Sequence, residues 1–139
     1  MRWTPPAPVN NPAPMDYTQA ARAVAASLAA GDDEMAAPGA LHLAIQAWRH
    51  LADGDAAWDR FGLELLDLRT RLYPDDDVAV EVDAPPHDGP ELRAVLSELV
   101  EELARYHQRL AANSDLALVQ RLEHDAAAHQ LRRAVAVLR

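Results

Sequence analysis

Residues 90–111, PELRAVLSELVEELARYHQRLA, carry the pattern that decides the fold. Leu92, Leu96, Leu99, Leu103, Tyr106 and Leu110 recur in steps of four and three, which on an α-helix stacks them along one side as a bundle seam. At 1.5 Å per residue this helix is about 33 Å long. Asp88 and Glu91 flank Pro90 at the spacing of a capping box and mark its start. Asn113-Ser114-Asp115 then reads as a turn with a cap for a last helix that continues to about Leu138 and returns antiparallel to its predecessor. That last helix is apolar on two sides: Leu118, Val119, Leu122, Ala126 and Val137 on one, Leu116, Ala127, Leu131, Ala134 and Leu138 on the other. Such a helix is either central to its bundle or touches a partner chain.

Three further helices precede the seam. Asp16 and Gln19 have capping-box spacing, and Tyr17, Ala20, Val24 and Leu28 repeat at helical spacing until Gly31 offers a left-handed stop. After an acidic turn and Pro38-Gly39, a second helix is expected over about 40–52, with Leu41, Ala44, Ile45, Trp48 and Leu51 inward and His42, Gln46, Arg49 and His50 outward. Asp55 caps a third, in which Trp58, Phe61, Leu65, Leu68 and Leu72 form a seam that Pro74 ends. The short link between helices two and three makes them an antiparallel pair. The sum is an all-α chain, a small antiparallel bundle of four to five helices forming one domain over 16–139.

Two stretches fall outside the helical pattern. Residues 1–15 hold five Pro in their first fourteen positions and read as an extended, flexible tail, with Met15 as an alternative start of translation. Residues 74–89 form an acidic crossover in which Val78, Val80 and Val82 alternate with polar or small residues at the period of a strand. With no strand partner evident in the chain, this segment either lies extended on the bundle, the favoured reading, or pairs with its own copy across a twofold axis.

Composition supports the helical reading: 29 Ala and 19 Leu against one Ile and ten Val favour helix over sheet. All thirteen basic residues are Arg, and no Cys is present to form disulfides, thiolate sites or a cysteine nucleophile. The net charge of −9 is uneven. Residues 15–89 carry five Arg against fifteen acids, while residues 90–139 carry seven of each. The acidic half repels phosphate backbones, so nucleic-acid binding is not expected. No apolar run is long enough for a membrane span and no signal-peptide core opens the chain, which leaves a cytoplasmic location as the default.

The spacings that chemistry needs are missing. None of the six His has an acid three residues before it or another His four residues away, so the helical metal-ligand patterns fail, and no metal or other cofactor is expected. The Arg-to-His interval of helical-bundle ribonucleases does not occur either, and the five Gly form no phosphate-binding loop. Ser114 reads as a cap and Ser97 as a polar-face residue, so no catalytic residue is assigned. What remains is His129 and Arg133, which project onto the stripe of Leu118, Leu122 and Ala126, with Tyr106 and His107 as further candidates for a polar binding pocket.

These features point to a non-catalytic helical interaction or adaptor module that forms a homodimer or higher oligomer. The alternatives are an accessory enzyme or small-molecule binder at His129 and Arg133, and an acidic, antitoxin-like or anti-regulator partner of a basic protein.

Overall fold

Leu92, Leu96, Leu99 and Leu103 are each no more than 2% exposed, and the chain is arranged around them. The computed structural model describes residues 2–3, 15–31, 34–52, 54–74, 79–80 and 82–139. In chain order these form β1 (Arg2–Trp3), α1 (Tyr17–Ala30), α2 (Ala36–Leu51), α3 (Ala56–Leu72), β2 (Ala79–Val80), α4 (Pro90–Ala111) and α5 (Leu118–Leu138). The protein is an all-α bundle, as its composition and periodicity require. Helix α4 packs against α1, α2 and α5, and α3 closes the ring by packing on α2 and α5. Helices α4 and α5 are antiparallel: Arg93 Nη1 reaches Leu138 O at 3.3 Å near one end, and Arg121 Nε reaches Ala111 O at 2.9 Å near the other.

Local chemistry sets most helix ends. Asp55 Oδ1 accepts from Ala57 N at 2.8 Å, capping α3 as the sequence predicts, and Gly31 ends α1 in the left-handed region at φ 70°. Other ends differ from expectation. Helix α2 begins at Ala36, ahead of Pro38 and Gly39, because a proline in the first turn sacrifices no intrahelical hydrogen bond. The capping boxes expected at Asp16 and Asp88 do not form, and Gly89 occupies the N-cap position of α4. Asp88 is drawn instead to two stronger donors, accepting from Trp58 Nε1 at 3.0 Å and from Arg93 Nε and Nη2 at 2.9 and 2.8 Å. The turn after α4 runs longer than Asn113-Ser114-Asp115, and Ala117 is the N-cap residue of α5.

The valine crossover has a partner within the chain, which corrects the expectation that it lacks one. Arg2 and Trp3 pair in parallel with Ala79 and Val80, Met15 bridges to Val82, and Asp83 N donates to Met15 O at 3.1 Å. The segment lies on α2 with Val80 buried, so the favoured reading of an extended crossover on the bundle holds and the self-pairing strand is not needed. The N-terminal segment is accordingly tied down at the points described: Met15, assigned to the flexible tail, is buried and hydrogen-bonded through its backbone. Val78 and the acids Asp75, Asp76 and Asp77 lie outside the described residues.

Alanine allows the first two helices to pack closely. Ala20, Ala21 and Ala25 of α1 and Ala36, Ala37, Ala40, Ala44 and Ala47 of α2 are all buried. Between α2 and α3 a glycine serves the same end: the Trp48 ring lies over Gly62, and a Cβ built on Gly62 would stand 2.1 Å from the ring. In an ordinary helix interior Gly→Ala gains roughly 0.5–1 kcal/mol. Here Gly62→Ala is expected to lose about 1–3 kcal/mol instead, because the added methyl must displace a tryptophan. Urea denaturation checks the sign, and a variant as stable as the parent would refute the contact.

Candidate functional site

The four residues predicted to line a pocket do not converge. His129 and Arg133 share one side of α5, as their spacing requires, but that side faces solvent: their side chains are 65% and 64% exposed. His129 Nδ1 lies 2.8 Å from Asp125 O of the preceding turn, and Arg133 reaches Glu64 at 3.9 Å, an exposed pair of little energetic weight. His107 is buried at 1% exposure and Tyr106 half-buried, and their partners lie elsewhere.

Three elements meet at His107. Its Nε2 lies 2.7 Å from the hydroxyl of Tyr73, the residue that ends α3, and its Nδ1 lies 2.9 Å from Nδ1 of His124 on α5. The His107 and His124 rings stack at 5.1 Å, while Tyr73 and Tyr106 meet His107 edge-on. Neutral imidazoles satisfy this chain in either direction. With one tautomer Tyr73 donates to His107 and His107 to His124; with the other every donor is reversed. A proton on both imidazoles sets two N–H groups against each other at the 2.9 Å contact. Burial first, then the neighbouring His124, pushes the His107 pKa down to about 3, and burial also lowers that of His124. Sequence reasoning assigned His107 but missed Tyr73 and His124, because it tested spacings within single helices. The antiparallel hairpin was the available signal: His107 and His124 lie nearly equidistant from the turn at 113–117, so folding back sets them side by side.

A second polar cluster sits between α3 and α5. Gln130, 5% exposed, donates through Nε2 to Glu64 O at 3.1 Å and to Asp67 Oδ2 at 2.8 Å, and its Oε1 accepts from Arg71. The amide is thereby satisfied in the core wall, and the Gln130 bond is the chief cause of a lowered Asp67 pKa. Beside it opens a cleft of about 250 Å³ lined by Arg60, Leu63, Glu64, Asp67 and Gln130.

The most distinctive surface lies beyond His107. From residue 108 to residue 126 no side chain is buried, although Arg121 of α5 still bonds the Ala111 carbonyl of α4 there. Leu118, Val119 and Leu122 on this stretch are 66%, 67% and 59% exposed. Of the two apolar sides predicted for α5, Ala127, Leu131, Ala134 and Leu138 enter the core, and the side bearing Leu118, Val119 and Leu122 does not. The helix is therefore not central to its bundle. Among the described residues no group of three or more His, Asp or Glu is placed to hold a metal ion, and no helix is long and apolar enough to cross a membrane.

The buried imidazole pair gives stability a defined pH dependence. Unfolded, His107 takes up a proton as the pH falls through about 6.5; folded, it does not until about 3. The unfolded chain thus binds more protons across this window, and stability falls as pH is lowered. Asp88, held at about 2 chiefly by Arg93, adds its own loss only below its ordinary value of 3.8. Urea midpoints between pH 6.5 and 4.5 therefore isolate the histidines, and His107→Gln should show a shallower fall there than the parent. Equal slopes would mean that His107 is not held neutral. No protein-family model, no curated protein and no solved structure matches this chain.

Proposed function

We propose that this protein is a non-catalytic helical interaction module that associates with a second copy of itself through the exposed side of α5. The observation that carries the reading is the run from 108 to 126, which has no buried residue yet holds three of the exposed large apolar side chains, Leu118, Val119 and Leu122. Water-exposed apolar area contributes roughly 25 cal/mol per Å² when covered, so this surface favours a docked partner. Its charges favour a copy of the same helix. The first half of α5 carries Glu123 and Asp125 against Arg121, and the second carries Arg132 and Arg133 with no acid, so a reversed copy sets a net negative half against a positive one. The even balance of acids and Arg over residues 90–139 also spares such a contact the mutual repulsion that the acidic first half would impose.

Light scattering at tens of micromolar protein should report at least twice the 15.2 kDa chain mass. Replacing Leu118 and Leu122 together by Asp should return the protein to that chain mass while its far-ultraviolet helical signal is unchanged, since neither side chain is in the core. A parent protein that scatters as a single chain would overturn the reading.

A further inference from the structure

Helix α5 displays only half of what a partner would cover. Among the described residues, the exposed large apolar side chains are Leu118, Val119 and Leu122 on α5 and Leu63 on α3, the last 62% exposed. Helices α3 and α5 run antiparallel, with Gln130 bonded to Glu64 O and Arg133 reaching the Glu64 carboxylate. Leu63 therefore stands level with the second half of α5, near Arg133, at the mouth of the cleft of about 250 Å³ between the two helices. Exposed apolar groups thus occupy both ends of one outer surface. Ala126, small and exposed, lies midway along it, seven residues from Val119 and seven from Arg133, or about 10.5 Å in each direction.

We infer that two copies pack α5 against α5 in antiparallel fashion about a twofold axis at Ala126, each laying Val119 against Leu63 of the other while Leu118 and Leu122 are covered by the facing α5. This deepens the proposed self-association and rests on it. A rotation about Ala126 brings position 119 of one copy level with position 133 of the other, the level at which Leu63 projects. The same rotation sets Glu123 opposite position 129, within reach of His129 and Arg133, and by symmetry does so twice. A methyl group at the crossing point lets the helix axes approach closely. One operation covers all four exposed apolar side chains on both copies, whereas covering the α5 leucines alone would leave Leu63 and its cleft open.

Because the chain has no Cys, Ala126→Cys introduces a single thiol on the axis. A disulfide needs Cα atoms within about 7 Å, a separation that only residues near the axis achieve between copies. Mild oxidation should convert Ala126→Cys to a covalent dimer on a non-reducing gel, while Asn113→Cys, far from the axis at the hairpin turn, should stay monomeric. Leu63→Glu, on a different helix from the α5 leucines, should weaken association at least tenfold with no loss of helical signal. A parent dimer that Leu63→Glu leaves intact, and in which Ala126→Cys does not cross-link, overturns this arrangement while self-association stands. A parent protein that is a single chain by light scattering overturns both.

Discussion

Burial of the leucine stripe on α4 is the constraint from which the rest of the architecture follows. The stripe is too wide for one partner, and α1, α2 and α5 cover it together. Each fully buried leucine contributes about 1.5–3 kcal/mol, enough to hold helices whose own faces are largely alanine. Alanine buries little area per residue, but it lets α1 and α2 approach each other and α4 closely. Between α2 and α3 the same is done by Gly62, over which the Trp48 ring lies.

Helix lengths determine where the surface becomes available. Helices α4 and α5 have 22 and 21 residues, while α1, α2 and α3 have 14, 16 and 17. The two long helices therefore outreach the others by up to about 12 Å. At one end the bundle is tied together by Asp88, which joins Trp58 of α3 to Arg93 of α4, and by Arg93, which reaches the last turn of α5. The excess length consequently emerges at the opposite end, past the C-termini of α1 and α3. Arg109 satisfies the Leu28 carbonyl at the end of α1, and Tyr73 meets His107 at the end of α3, so both polar contacts mark the level at which cover stops.

Polar groups in this bundle serve as fasteners at helix ends and walls, and most are satisfied by donors or acceptors on another helix. The Tyr73, His107 and His124 chain and the Gln130 cluster each join α5 to α3, the former also to α4, without enclosing a charge in the core. Their cost is conditional. The imidazole pair is comfortable only while neutral, which adds a pH-sensitive contact at the root of the projecting hairpin.

By itself the sequence determined the helical class, the order of the helices, their antiparallel pairing across short links, and the α4 leucine seam, and it bounded their number at four to five. Periodicity, capping residues and chain connectivity are local, and local chemistry is readable residue by residue. It also placed His129 and Arg133 correctly on one side of α5. Whether that side faced the core was a different matter, because two apolar stripes on one helix are locally equivalent. Only the tertiary structure decided between them, because α3 and α4 both pack on the side bearing Ala127, Leu131, Ala134 and Leu138 and leave the other side to solvent along its length. The partner of the valine crossover, the contact of His107 with His124, and the diversion of Asp88 from capping to Trp58 and Arg93 were equally beyond local reading. Each joins residues that are remote in sequence, and distance in sequence carries no signal until the packing of the helices brings them together.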